Sequence, residues 1–110
     1  MLKNNTILTI ILASIVAPIL EELIFRLSLY KIFKKYSYLF IFISGIVFGS
    51  MHVIGNISNI IDILYIIPYS IPGCIFAYTL VKSDNIFVPI SLHFIHNTFS
   101  IIIQLLAFSL

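Results

Sequence analysis

The stretch that decides the fold is residues 7–33, ILTIILASIVAPILEELIFRLSLYKIF, an apolar run interrupted by Glu21, Glu22 and Arg26. About 20 mostly apolar residues suffice to span a bilayer as a helix, so the stretch predicts a membrane helix. Pro18 lacks a backbone donor, and we expect it to kink this helix or to begin its second half. A cleaved signal peptide is the alternative. The charged residues follow within a continuing helical pattern, which favours an uncleaved helix.

The composition supports a lipid environment. Hydrophobic residues make up 61% of the 110 residues and charged residues only 9%, whereas an average soluble domain carries about a quarter charged residues. The net charge of +2 comes without a long basic run, so nucleic acid is not an expected partner. The lone Cys74 cannot form an internal disulfide and is interpreted as a packing residue. The length predicts one domain, residues 1–110.

Three further apolar stretches follow, at about residues 38–54, 60–81 and 86–110, and short polar connections separate them. Backbone at membrane depth has to satisfy its own hydrogen bonds, which favours helices. The sequence therefore predicts an all-α membrane protein, a bundle of about four transmembrane helices with the site in the bundle core. Pro68 and Pro72 are expected to kink the third helix or to end it early.

The charges in the first helix require an explanation, because a charged side chain at the centre of a membrane helix costs roughly 2.5–3.5 kcal/mol on insertion scales. Glu22 and Arg26 are four residues apart, share a face and can pair. Glu21 is rotated from Glu22 by about 100° and is the better candidate for a base. The alternative is that all three form a structural ion-pair cluster.

Polar side chains on two other helices extend this cluster. His52 lies near the end of the second helix, and His93 and Asn97 share a face of the fourth. A lone intramembrane histidine is more often a packing residue. Two histidines on different helices, with a glutamate on a third, indicate a site, because facing positions in a bundle can converge.

This combination of groups suits hydrolysis. A carboxylate in a low-dielectric pocket binds a proton more readily than in water and can take one from a water molecule. A histidine and an asparagine amide can donate to a developing oxyanion. Alternatively, Glu21, His52 and His93 could ligate zinc or another divalent metal and leave a position open for water. Both routes end in attack of activated water on a carbonyl, and the sequence leaves open whether any metal takes part.

Three motifs carry a family resemblance. They are Glu21-Glu22-Leu-Ile-Phe-Arg26, Phe48-Gly-Ser-Met-His52 and His93-Phe-Ile-His-Asn97, which read EExxxR, FxxxH and HxxxN. In this order, each on a membrane helix, they resemble the motifs of the CPBP intramembrane proteases. That family includes the CAAX prenyl endopeptidases of the Rce type and the bacterial Abi, or bacteriocin-immunity, proteins. The resemblance covers about residues 13–98.

The resemblance implies roles for the matched positions. Glu21 resembles the water-activating carboxylate, assisted by His52. His93 and Asn97 resemble the oxyanion-stabilising pair, and in a metal-dependent version His93 is a further ligand.

The remaining matched positions resemble supporting residues. Glu22 and Arg26 resemble a structural pair that positions the catalytic glutamate, and Phe48 is expected to pack near the site. One position departs from the family pattern, because Leu27 stands where a glycine commonly follows the arginine.

The expected function is that of a multi-pass intramembrane endopeptidase of a bacterial plasma membrane, which hydrolyses a membrane-associated or prenylated, CAAX-like peptide. The alternative is a non-enzymatic bacteriocin-immunity or scaffold protein that uses the same polar cluster. A proton pathway is disfavoured, because the polar residues cluster instead of following a route. Besides lipid and a substrate, the expected partners are a second copy through Gly45 and Gly49, or further helices. The same GxxxG can instead pack inside the bundle.

Overall fold

The structure is a computed structural model that describes the backbone of residues 2–109 and the side chains of residues 5–12, 15–55 and 57–108. The described chain is helical almost throughout and contains no strand. Its four long helices are α1 (residues 2–33), α2 (Ser37–Val53), α3 (Ile66–Ser83) and α4 (Phe87–Ser109), and two 3₁₀ segments, Ile54–Asn56 and Ile60–Tyr65, connect α2 to α3. These helices match the four predicted apolar stretches.

Helix α1 changes its winding twice. Its α-helical parts, Leu2–Ile11, Ala17–Glu21 and Leu27–Phe33, are separated by π-helical turns at Leu12–Val16 and Glu22–Arg26. The first wide turn has a local cause in Pro18, whose ring would clash with the carbonyl one α-turn earlier. The N–H of Ala17 instead bonds the carbonyl of Leu12, five residues back. The helix therefore accommodates the proline by widening and continues.

The second π turn contains the charged motif. The N–H of Leu27 bonds the carbonyl of Glu22, and Glu22 and Arg26 stand at the two ends of the turn. Such single π turns inside α-helices are frequent at functional sites. This turn fixes the direction in which each charged side chain leaves α1.

Helices α2 and α3 form the most extensive helix contact, and glycines allow their close approach. A Cβ atom at Gly49 would lie 2.7 Å from the carbonyl oxygen of Ile66, and one at Gly73 would lie 2.6 Å from Cβ of Phe48. A Cβ atom at Gly45 would overlap Sγ of Cys74. The GxxxG motif thus packs inside the chain, as one of its two predicted uses requires. A homodimer through Gly45 and Gly49 stays a prediction.

Helix α3 continues through its prolines. Of the two predicted effects of Pro68 and Pro72, an early end of the helix is therefore wrong, and a kink stays a prediction. The connection before it is held by a capping box, in which the side chain of Asn59 accepts from the N–H of Ile61 at 2.9 Å. At the other end Asp84 has a left-handed backbone, with φ of 52°, and its N–H bonds the carbonyl of Leu80 at 2.8 Å. This αL residue ends the helix.

The outer surface of the bundle is apolar. Large side chains such as Ile32, Phe42, Ile67 and Phe99 are more than 60% exposed, as expected where lipid is the solvent. By length and composition, two helical stretches of the described residues can cross a membrane, Ile60–Ser83 and Phe87–Phe108, and α2 is a shorter apolar helix. The protein is an all-α membrane protein, and crossing four times stays a prediction.

A small core joins the helices at one end of the bundle. Phe40 of α2 packs with Ala77 and Leu80 of α3, and the Tyr30 ring of α1 lies 5.2 Å from the Phe40 ring. The hydroxyl of Tyr30 donates to Asp84 at 2.9 Å. This exposed contact links α1 to the end of α3.

Candidate active site

Arg26 joins three helices. Its Nε and Nη2 donate to the two carboxylate oxygens of Glu22 at 2.8 and 3.0 Å, which is the predicted i,i+4 pair. Its Nη1 donates to the Ser44 hydroxyl of α2 and to the Gly73 carbonyl of α3, the latter at 2.7 Å. The guanidinium is 3% exposed. A buried charge is tolerated only when it is paired and its donors are satisfied, and Arg26 meets this requirement.

Glu22 extends the network to the fourth helix. Its Oε2 lies 3.0 Å from Nδ1 of His93, and both side chains are essentially inaccessible, at 1% and 0% exposure. Because both oxygens of this carboxylate bind Arg26, we treat it as ionised, and the hydrogen bond then requires Nδ1 of His93 to be the donor. In a neutral imidazole with its proton on Nδ1, Nε2 is an acceptor.

Glu21 faces that second nitrogen of His93. Its Oε2 lies 3.3 Å from Nε2 of His93, and neither atom has a hydrogen-bond partner among the described residues. Glu21 is 28% exposed and takes no part in the Arg26 network. The two adjacent glutamates therefore differ in environment: Glu22 is buried in an ion pair, and Glu21 has a buried oxygen without a hydrogen-bond partner among the described residues.

A cleft opens beside Glu21. Its volume is about 10 Å³, about the space of one water molecule, and its lining includes Glu21, Glu22 and Arg26. The other lining residues come mainly from the apolar faces of α1 and α2: Phe25, Leu29, Ser44, Val47, Phe48 and Met51. The immediate surroundings of the Glu21 carboxylate are thus mostly apolar.

Phe48 lies between the two histidines of the sequence prediction. Its ring centroid is 4.3 Å from that of His52 and 5.2 Å from that of His93. His52 bonds through Nδ1 to the Phe48 carbonyl at 2.8 Å and borders a neighbouring cleft with Val53, Asp62, Tyr65 and Tyr69. His52 is therefore one aromatic ring away from His93 and does not line the cleft that contains Glu21.

The remaining predicted residues lie on α4. Asn97 stands one turn after His93 and is half-buried, and its role as an oxyanion donor stays a prediction. His96 is exposed, with its ring centroid 6.0 Å from that of Phe76. The Phe76 ring stacks on His93 with centroids 5.0 Å apart and so helps to fix the imidazole.

The predicted metal ligands are not all close together among the described residues. Among them, no group of three or more His, Cys, Asp or Glu residues is close enough together to hold a metal ion. Glu21 and His93 supply two adjacent ligand atoms, while the Phe48 ring lies between His93 and His52. A catalytic zinc ion takes three protein ligands. The predicted set Glu21, His52 and His93 is therefore not assembled as a metal site in this arrangement.

The sequence did not point to two partners of Arg26, namely Ser44 and the Gly73 carbonyl. A backbone carbonyl leaves no trace in a motif, and a serine in an apolar helix is unremarkable. Asp62 also has a structural role that was not predicted. Its Oδ2 accepts from the N–H and the hydroxyl of Ser58 at 2.8 Å each. The spacing Asn59-x-x-Asp62 is a capping pattern that the sequence does contain.

Comparison with known proteins gives the family. A family model described as type II CAAX prenyl endopeptidase Rce1-like matches residues 3–99. A Bacillus subtilis (strain 168) protein named "Putative membrane peptidase YdiL" is 37% identical over 100 residues, which cover 89% of this chain. The match covers 38% of that relative, so the chain spans well under half of its length. No solved structure matches the chain significantly.

The matched region contains all three motifs and the whole buried network of Glu22, Arg26 and His93. The chain belongs to the Rce1-like family of type II CAAX prenyl endopeptidases.

Proposed function

We propose that this chain forms the active centre of an intramembrane endopeptidase, in which Glu21 activates a water molecule for attack on a peptide bond. The observation that carries the proposal is the 3.3 Å approach of Glu21 Oε2 to His93 Nε2. With Glu21 ionised and the His93 proton on Nδ1, these two atoms are both acceptors. A water molecule donating one hydrogen to each would satisfy both, and its oxygen would become more nucleophilic.

The reaction then follows from the residues in place. Glu21 takes a proton from the water, the hydroxide oxygen bonds to the carbonyl carbon, and the carbonyl oxygen becomes an oxyanion. The C–N bond breaks as the leaving nitrogen takes the proton back from Glu21. Asn97 is the candidate donor to the oxyanion. His93 can donate as well only after its Nε2 has gained a proton, because Glu22 holds the other proton on Nδ1.

The proposed substrate is a membrane-associated peptide, with a prenylated, CAAX-like peptide as the first candidate. The family description names that substrate class, and the apolar lining of the Glu21 cleft supports a lipid-side approach. A bacterial plasma membrane is the proposed location, since the curated relative is a bacterial membrane peptidase by name.

A second candidate function is a non-enzymatic scaffold or immunity protein. The observation that favours it is the completeness of the Arg26 network, which ties α1 to α2 and α3 and, through Glu22, to α4. Such a network stabilises a bundle without catalysis. The two functions differ in what they require of Glu21, which the network does not use.

The test replaces Glu21 and compares the result with a matched control. The protein is reconstituted in vesicles with a farnesylated peptide, and cleavage is followed by mass spectrometry. Glu21→Gln should lower kcat/KM by about 10²- to 10⁴-fold, the usual contribution of a general base. The same carboxylate-to-amide change at exposed Asp84, Asp84→Asn, should leave cleavage unchanged.

Three outcomes separate the candidates. Full activity in Glu21→Gln would contradict the proposed base. Absence of cleavage by the unsubstituted protein, with prenylated and unprenylated peptides alike, would favour the scaffold. Loss of the Glu21→Gln protein from the membrane would indicate that Glu21 is structural.

A further inference from the structure

His52 is held from two sides. Its Nδ1 bonds the Phe48 carbonyl at 2.8 Å, and its ring lies against the Phe48 ring, with centroids 4.3 Å apart. On the other side it stacks on Tyr69 of α3, with centroids 5.8 Å apart and planes 17° from parallel. The imidazole thus lies between two aromatic rings.

The contact with Phe48 fixes which nitrogen of the imidazole carries the proton, and the contact with Tyr69 restricts the tilt of the ring. A backbone carbonyl only accepts, so the bond to Phe48 requires the proton on Nδ1 and leaves Nε2 of neutral His52 as the acceptor. That bond still allows the ring to tilt about the line from Nδ1 to the carbonyl. Parallel stacking on Tyr69 restricts this tilt, because aromatic rings prefer defined offset geometries.

Hydrogen bonds hold the connection that precedes Tyr69 in place. Tyr69 and His52 line one cleft of about 210 Å³ together with Val53, Asp62 and Tyr65. Asp62 fixes the loop before α3 by accepting from Ser58 at 2.8 Å and from the N–H of Asn59 at 3.2 Å. Tyr69 lies in the first turn of α3, which follows this capped 3₁₀ segment, and its ring stacks on His52.

We propose that Tyr69 is a positioning residue: it holds the His52 imidazole in one plane, so that Nε2 meets the substrate at the edge of the cleft that His52 and Tyr69 line. The inference rests on the proposed function, because His52 assists the chemistry only if the chain is a peptidase. Tyr69 acts through its ring and not through its hydroxyl, which distinguishes it from a residue that binds substrate.

The first experiment observes His52 directly by NMR of the full chain in detergent micelles, with ring signals assigned by their loss in His52→Gln. Tyr69→Leu should move the His52 ring signals, because the neighbouring ring current disappears. Tyr69→Phe keeps the ring and should leave them in place. Tyr78→Leu, at an exposed tyrosine further along α3, should also leave them unchanged. Unchanged His52 signals in Tyr69→Leu would overturn the proposal.

The second experiment divides the kinetic effect between kcat and KM. Tyr69→Leu should lower kcat about ten- to a hundredfold with little change in KM, since a misplacement of about 1 Å can cost about a hundredfold. Tyr69→Phe should retain the kcat of the unsubstituted protein. A raised KM with an unchanged kcat would make Tyr69 a substrate-binding residue and overturn the positioning role. Tyr69→Met replaces Tyr69→Leu if the latter does not accumulate in the membrane.

The two proposals fail separately. If the unsubstituted protein cleaves no peptide, the proposed function falls, while the NMR comparison still decides whether Tyr69 orients His52. If Glu21→Gln abolishes cleavage and Tyr69→Leu keeps the kcat of the unsubstituted protein, only the role of Tyr69 falls.

Discussion

The Nε2 atom of His93 lies 3.3 Å from Oε2 of Glu21, and the opposite ring nitrogen, Nδ1, lies 3.0 Å from Oε2 of Glu22. Two neighbouring glutamates thus contact opposite nitrogens of one histidine. Glu22 is committed to Arg26 and fixes which nitrogen of His93 carries the proton. Glu21 has no such commitment, and the two residues should respond differently to the same substitution.

Glu22→Gln should destabilise the protein strongly. It leaves the buried Arg26 without its counter-ion, and breaking a buried ion pair typically costs about 3–5 kcal/mol. Thermal unfolding in detergent would measure the loss, with Asp84→Asn as the exposed control. An unfolding temperature like that of the unsubstituted protein would contradict the structural role of the pair.

Glu21 and His93 should act as one unit in catalysis. Residues that serve a single step lose activity non-additively. We therefore expect Glu21→Gln combined with His93→Gln to be about as inactive as the worse single variant, measured as kcat/KM on the same peptide. If the two losses in log(kcat/KM) simply sum, the residues act in separate steps and the shared water is wrong.

Gly73→Ala should be poorly tolerated. The new methyl group would lie 2.6 Å from Cβ of Phe48, and overpacking typically costs about 1–3 kcal/mol. Gly55→Ala is the matched control, because nothing lies within 4 Å of a Cβ atom there. Unfolding temperatures of the two variants should differ clearly. Equal stability would mean that α2 and α3 separate at little cost.

Removal of divalent metal should leave cleavage intact. The described residues offer Glu21 and His93 as adjacent donors but do not gather a third ligand, and a catalytic zinc ion takes three. Activity before and after chelator dialysis, with metal content measured in parallel, provides the check. Loss on chelation and recovery on adding zinc would show that the site rearranges around a metal.

Much of the fold could be predicted from the sequence, because lipid-facing helices need long apolar stretches and their connections need polar residues. The Glu22–Arg26 pair was also predictable, since a spacing of four residues fixes a shared face. Which glutamate contacts which nitrogen of His93 could not be predicted. That depends on the rotation of α4 against α1 and on the π turn at Glu22–Arg26, and apolar periodicity encodes neither.

The expected convergence of His52 on Glu21 shows the same limit. The motif spacing places His52 one turn after Phe48, but only packing determines on which side of the Phe48 ring it lies. The structure puts His93 on the Glu21 side and His52 in the next cleft, beside Tyr69. Tyr69 stands outside the three motifs, so nothing in them indicated that it contacts His52.

The glycine contacts between α2 and α3 also bear on how a substrate could enter. Gly45, Gly49 and Gly73 let the two helices pack so closely that a methyl group added at any of them would collide with the other helix. We therefore expect α2 and α3 to move as one rigid unit. This unit includes His52 and the two groups that accept hydrogen bonds from Arg26, the Ser44 hydroxyl and the Gly73 carbonyl. A movement that admits a peptide to Glu21 would then have to separate α1 or α4 from α2 and α3.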